Sequence, residues 1–199
     1  FDNSSSVLDN LQSGSGFIER FFVNNVEIDT PDYNPNDDND PSVINGTEGA
    51  DVLNGTADND EINGLGGDDV INGNDGDDVL NGDDGNDAIS GGAGSNTLNG
   101  GAGNDTLTSI THGSDTLNGG AGDDALHFMV TGGQFDVDGG TGNDTYHVTA
   151  HSTTYTGSFN LVDSDTNNSM TFTNIHRDAS IDLANGTVTY DGNLMGTMT

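Results

Sequence analysis

One carboxylate returns every ninth residue. Counting units from Gly46, position six reads Asp51, Asp60, Asp69, Asp78, Asp87, Asn96, Asp105, Asp115, Asp124, Phe135 and Asp144, so nine of eleven units place an aspartate there. Each is preceded by a turn rich in glycine and followed two residues later by an apolar side chain. A turn of this kind offers backbone carbonyls and one carboxylate. Oxygen-only shells of six to eight ligands, carboxylates and carbonyls among them, suit calcium. A single turn cannot complete such a shell, so two turns must be stacked to hold one ion.

The elements that position these groups follow from the period. Units start at Gly46, Gly55, Gly64, Gly73, Gly82, Gly91 and Gly100; Ser109 is then inserted before units at Ile110 and Gly119, and Phe128-Met129 before units at Val130 and Gly139. Position eight is apolar throughout: Leu53, Ile62, Ile71, Leu80, Ile89, Leu98, Leu107, Leu117, Leu126, Val137 and Tyr146. Six residues reverse the chain, and positions seven to nine make a short strand whose neighbouring side chains face opposite ways. Position eight therefore points inward, with seven and nine outward. A fixed short period means that each unit stacks on its neighbours. The expected class is all-β: a solenoid of short stacked strands with β-rich flanking caps.

Two units make one coil, so alternate units share an edge. One edge carries Asp51, Asp69, Asp87, Asp105, Asp124 and Asp144, with Gly49, Gly67, Gly85, Gly103, Gly122 and Gly142 at position four. Its six complete turns enclose five gaps, hence five expected calcium sites. The other edge carries Asp60, Asp78, Asn96, Asp115 and Phe135, with Asp58 in place of its first position-four glycine. It is expected to hold one good site between Asp60 and Asp78 and weaker ones around Asn96 and Asp115, and none at Phe135. Both insertions fall beside second-edge units, where the coil is expected to bulge without disturbing the complete edge.

Composition sets the boundary conditions. The chain has 199 residues, 34 acidic and two basic side chains, a formal net charge of −32 and no cysteine. Residues 58–87 alone hold eleven acids. Low hydrophobicity with high charge predicts disorder in the absence of a cation, so folding is expected to depend on the ion. Nucleic-acid binding is excluded, because it relies on Lys and Arg to neutralise phosphates. No run of about eighteen apolar residues could span a membrane. Neither a zinc-protease HExxH helix nor a GxSxG elbow occurs, and no catalytic residues are assigned.

These units closely resemble the RTX proteins, whose haemolysin-type calcium-binding repeats occur in bacterial toxins, proteases, lipases and mannuronan epimerases. The resemblance implies a parallel β-roll, calcium between stacked turns, and type I secretion as an unfolded chain. The family's ligands then fall on the position-six aspartates and on carbonyls of positions one to four, here Gly46, Gly49, Gly64, Gly66, Gly67, Gly82, Gly85, Gly100, Gly103, Gly119, Gly122, Gly139 and Gly142. The resemblance also implies an extracellular or cell-surface location. The expected role is a non-enzymatic structural or adhesive module of a surface or secreted bacterial protein. Its alternative is an accessory polysaccharide-binding module of a carbohydrate-active enzyme such as a mannuronan epimerase. The expected partners are calcium ions, with self-assembly or extracellular polysaccharide as further candidates.

Around the roll, residues 1–30 read as a β lead-in, 31–45 as an acidic Pro/Asn linker, 46–147 as the roll and 148–199 as a Thr-rich β extension or cap. The chain opens at Phe1 without a methionine and reads as part of a longer protein. Asp163 to Asn167 resembles the start of an EF-hand loop, but Asn168 stands where glycine belongs and Asn174 where glutamate belongs, so it reads as a solvated turn. His127 and His147, both at position nine on one edge, read as surface residues. The asparagines at position nine (Asn54, Asn63, Asn72, Asn81, Asn99, Asn118) face outward, where they could stack as amide ladders.

Overall fold

The computed structural model describes residues 21–23, 26–28, 42–110, 113–130, 133–149, 158–163, 167–173, 179–182, 187–190 and 193–198. The chain divides into two compact units, 1–37 and 38–199. In the first, β1 (Phe21–Val23) and β2 (Val26–Ile28) form an antiparallel hairpin. The three prolines, at 31, 35 and 41, lie outside the described residues.

The second unit contains only strands among its described residues. They alternate between two sheets. β3 (Ser42–Asn45), β5 (Asp60–Asn63), β7 (Val79–Asp84), β9 (Thr97–Ala102), β11 (Thr116–Ala121), β13 (Gln134–Thr141) and β15 (Ser158–Val162) lie side by side in one. β4 (Val52–Asn54), β6 (Val70–Asn72), β8 (Ala88–Ser90), β10 (Thr106–Ser109), β12 (Ala125–Met129), β14 (Thr145–Thr149) and β16 (Ser169–Thr173) form the other. Every pairing within these two series is parallel. The result is a β-solenoid, a parallel β-roll that begins at β3 and runs through β16. At its far end β17 (Ala179–Asp182), β18 (Thr187–Tyr190) and β19 (Asn193–Met198) add an antiparallel patch, of which β19 pairs in parallel with β15.

The core follows from the period-two alternation of each short strand. Position eight of every unit from Ile62 to Tyr146 is at most 2% exposed, and the residues either side face out. Parallel register stacks like on like: Leu53 pairs with Ile71, Ile71 with Ile89, and Leu107 with Leu126. On the outer face the expected amide ladder is present, running Asn45–Asn63–Asn81–Asn99–Asn118 with Nδ2 to Oδ1 distances of 2.7–3.0 Å. A shorter one joins Asn72 to Asn54.

The insertions do not bulge. They lengthen the strands they follow, because Ser109 pairs with Phe128, Phe128 with Val148, and Val148 with Phe172 in unbroken register. Coil repeat grows accordingly from 18 residues to 19, 20 and finally 24. Each longer strand gains a second inward position: Ser109 fills it in β10, and bulkier side chains fill it in the strands beyond. Phe128, Val130, Phe135, Val148 and Phe159 are all buried, with Phe128 5.7 Å from Phe135 and 5.5 Å from Phe159 between ring centroids. Phe135, the defect in the aspartate series, is thereby accounted for as a core residue. Truncating Phe128 to alanine is expected to cost about 3–5 kcal/mol, measured by denaturant unfolding of the calcium-loaded protein, whereas an outward Thr145→Ala change should leave the midpoint nearly unmoved.

Candidate metal centre

Position six of each turn turns inward at the corner between the two sheets. Asp60, Asp69, Asp78, Asp87, Asp105, Asp115, Asp124 and Asp144 are no more than 2% exposed. Burial of so many carboxylates with no lysine and no arginine among the described residues needs a physical account. Half of it lies in the backbone. On the first edge the N–H of Asp51 donates to Asp69 Oδ1 at 2.8 Å, Asp69 to Asp87, Asp87 to Asp105, Asp105 to Asp124 and Asp124 to Asp144. The second edge repeats the pattern from Asp60 to Asp78, Asn96 and Asp115. Each Oδ1 thus staples the coil before it.

Oδ2 is the other half. In Asp69, Asp78, Asp87, Asp105 and Asp124 it is buried and meets no hydrogen-bond donor. Its surroundings are oxygen. A methyl group built on Gly64 would strike Asp69 Oδ2 of its own turn and, at 2.6 Å, the carbonyl of Gly82 in the next coil. The same pair of oxygens crowds Gly82, Gly100 and Gly119 on this edge and Gly73 on the other. Position one of these turns must therefore be glycine, as it is in every unit except those starting at Ile110 and Val130. The space it leaves is flanked by a carboxylate and a carbonyl from successive coils, a donor set suited to calcium. No three His, Asp or Glu side chains converge among the described residues, so carbonyls must supply the rest of any shell. The position-four carbonyls of Gly67, Gly85, Gly103 and Gly122 stack against the position-four glycine of the following coil, up to Gly142. Gly66 sits in an isolated parallel bridge with Asp84.

The departures from the repeat are distinct in chemistry. Asn96 fills the aspartate's place, donating its own N–H to Asp115 and accepting from Asp78, but it presents Nδ2 where the others present oxygen. Asp115 Oδ2 is met by the hydroxyl of the inserted, fully buried Ser109. At the end of the first edge, beside Gly139, Tyr146 brings its hydroxyl close to Asp144 Oδ2 and donates it to Asp163. Asn168, the sixth residue of the EF-hand-like stretch, takes the next position-six place in the ladder: Asp144 N–H donates to its Oδ1 at 2.6 Å, 24 residues on. Residues 164–166 and 174 lie outside the described set. His127 and His147 stack face to face at 4.5 Å.

A second ladder escaped the sequence reading. Position five also bridges coils, in the opposite sense: Asn86 N–H donates to Asp68 Oδ1, Asn104 to Asn86, Asp123 to Asn104 and Asn143 to Asp123, at 2.7–2.9 Å. Asp77, Ser95, Ser114 and Gln134 continue it on the second edge. The signal was present, since position five is Asn, Asp or Ser in nine of the eleven units.

Without a cation, Asp78, Asp87, Asp105, Asp115 and Asp124 resist ionisation. Loss of water contact pushes Asp78, Asp105 and Asp124 up to about 6, partly offset by the N–H each accepts; neighbouring acids push the same way as burial. Asp87 and Asp115 shift upward for the same first reason. The metal-free fold then binds more protons than the unfolded chain between the ordinary value of 3.8 and about 6, so its stability falls as pH rises through that window. In chelator, far-UV circular dichroism should show sheet structure fading as pH climbs from about 4 past 6. With calcium the order reverses, because protons compete for the same oxygens. Ser109→Ala should leave Asp115 Oδ2 without a donor and cost about 1–3 kcal/mol, read from the unfolding midpoint in calcium.

The family described as RTX calcium-binding nonapeptide repeat (4 copies) matches residues 45–80, 72–107 and 112–128. No curated protein matches the chain. With its parallel coils, position-one glycines and buried aspartates, the repeat region of this chain belongs to the RTX calcium-binding nonapeptide repeats, and the structure they build is a β-roll.

Proposed function

We propose that this chain is a calcium-gated structural module that stays unfolded during secretion and folds in extracellular calcium. The observation that carries the reading is the row of buried Oδ2 atoms without donors, at Asp69, Asp87, Asp105 and Asp124 on one edge and Asp78 on the other. Those oxygens, with the position-one carbonyls of Gly82, Gly91, Gly100, Gly119 and Gly139 that face them, are the ligands assigned to calcium. At about a hundredfold excess over its dissociation constant each bound ion adds about 2.7 kcal/mol to the folded state alone. Several such ions offset both the repulsion among the acids and the chain entropy of a glycine-rich repeat. Calcium is scarce inside cells and abundant outside, so the same ladder that holds the roll together also times its formation.

The role assigned to the folded roll is structural or adhesive, in a secreted or surface-displayed bacterial protein. Its described side chains are accounted for by packing, ladders and ion ligation, and no acid–base or nucleophilic pair is needed to explain them. The test is a calcium titration of the intact chain at pH 7.5, followed by circular dichroism and limited proteolysis. Sheet signal and protease resistance should appear together, cooperatively, as calcium is added and vanish on chelation. A compact, protease-resistant particle in chelator at that pH would remove the reading. Asp105→Asn should move the titration to higher calcium and lower the bound ions by one.

A further inference from the structure

The first turn on each edge is built differently from those that follow. In Asp51 the oxygen corresponding to the open Oδ2 of later coils already takes two donors, the N–H of Thr47 at 2.6 Å and its hydroxyl at 2.8 Å. Asp60 is treated alike by Thr56, at 2.6 and 3.1 Å. Both threonines occupy position two. The hydroxyl that donates to the carboxylate also accepts the position-four N–H, from Gly49 in one turn and Asp58 in the other. In later coils that N–H goes elsewhere: Gly67 donates to the Asp84 carbonyl and Gly85 to that of Ala102. The first turns are closed on themselves.

Backbone sterics explain the difference. Among the described residues, position two of the following turns is left-handed, even where it is not glycine: Leu65 has φ +74°, Asn74 +78° and Asp83 +70°, and Gly101 and Gly120 lie at +116° and +113°. Thr47 and Thr56 are absent from that region, which β-branched side chains avoid. Held out of it, the threonine aims its own N–H at the aspartate. An ionised carboxylate oxygen has about two lone-pair positions, and these two donors fill them. The oxygen cradle is otherwise intact, for a methyl on Gly46 would meet the Gly64 carbonyl at 2.6 Å and Asp51 Oδ2 at 3.0 Å.

We infer that Thr47 and Thr56 are built-in replacements for calcium, sealing the first carboxylate of each edge so that ion binding begins one coil further in. The inference rests on the reading that the open Oδ2 atoms take calcium, and it lowers the expected number of ions on both edges by one. Each sealed aspartate is the first of its row of stapled carboxylates among the described residues. Two hydroxyls close those ends without metal.

Calcium stoichiometry of the full chain, by equilibrium dialysis with atomic absorption, tests this. Thr47→Gly and Thr56→Gly should each bind one ion more than the parent, and the double variant two more. Thr56→Asn, which installs the residue found at the left-handed Asn74 position, serves as a second route to the same gain. Asp87→Asn should bind one fewer and shows that single ions are counted. Unchanged stoichiometry in all the threonine variants, with the Asp87→Asn loss observed, overturns the inference and leaves the parent reading standing. A parent chain that binds no calcium overturns both.

Discussion

Each coil of the roll buries a carboxylate whose two oxygens have different partners. Oδ1 accepts a backbone N–H from the coil before, and that bond fixes where the side chain lies. Oδ2 is then held in a dry corner among carbonyls, where a bare negative charge is costly and a divalent cation removes the cost. Everything else in the roll is arranged around that corner. Position-one glycine keeps it open, position eight supplies the apolar wall behind it, and the two-sheet coil brings the next carbonyl to face it. Removing the cation leaves protonation as the remaining way to neutralise the site, which is why Asp78, Asp87, Asp105 and Asp124 shift upward and why acidity and calcium act on the same oxygens.

Adjacent residues of the turn share the work of holding coils together. Position six reaches back to the preceding coil, while position five reaches forward to accept from the following one. Because both use side chains as acceptors for backbone N–H groups, they supplement the backbone pairing that runs into the turn from the strands. This is how the corner remains ordered even next to the shortest strands, of three residues. Glycine dominates the turn for the same reason, since successive position-four glycines rest on one another's carbonyls and leave no room for a side chain.

Much of this was legible in the sequence. A nine-residue period with an invariably apolar eighth position dictates alternation, the two-sheet coil and the separation into two edges, and the parallel register follows. The site was legible as a list of aspartates and glycines, but not as an electrostatic state. Whether a given carboxylate is open depends on residues outside the aspartate column. Thr47, Thr56 and Ser109 sit at other positions, and their hydroxyls reach the oxygen only once the turn has closed. The insertions were misread for a related reason. A bulge and a longer strand cost the same number of residues, and only the burial of Phe128, Val148 and Phe172's neighbours distinguishes them. Asn168 was missed because 24 residues separate it from Asp144, outside the nine-residue count.

The lengthening of the coils has a bearing on the uniqueness of the fold. Near-identical repeats are interchangeable partners, and a chain of them can slip by a whole coil while satisfying most of its ladders. Between Leu53 and Leu107 nothing but the ends opposes such a frame shift, since every step is 18 residues. Beyond that point a slipped chain would set Phe128 or Val148 against a shorter strand that has no inward place for it, leaving a bulky side chain stranded and a void elsewhere. The added residues thus work as a key that admits one alignment, giving a repetitive sequence the single address that its repeats alone do not specify.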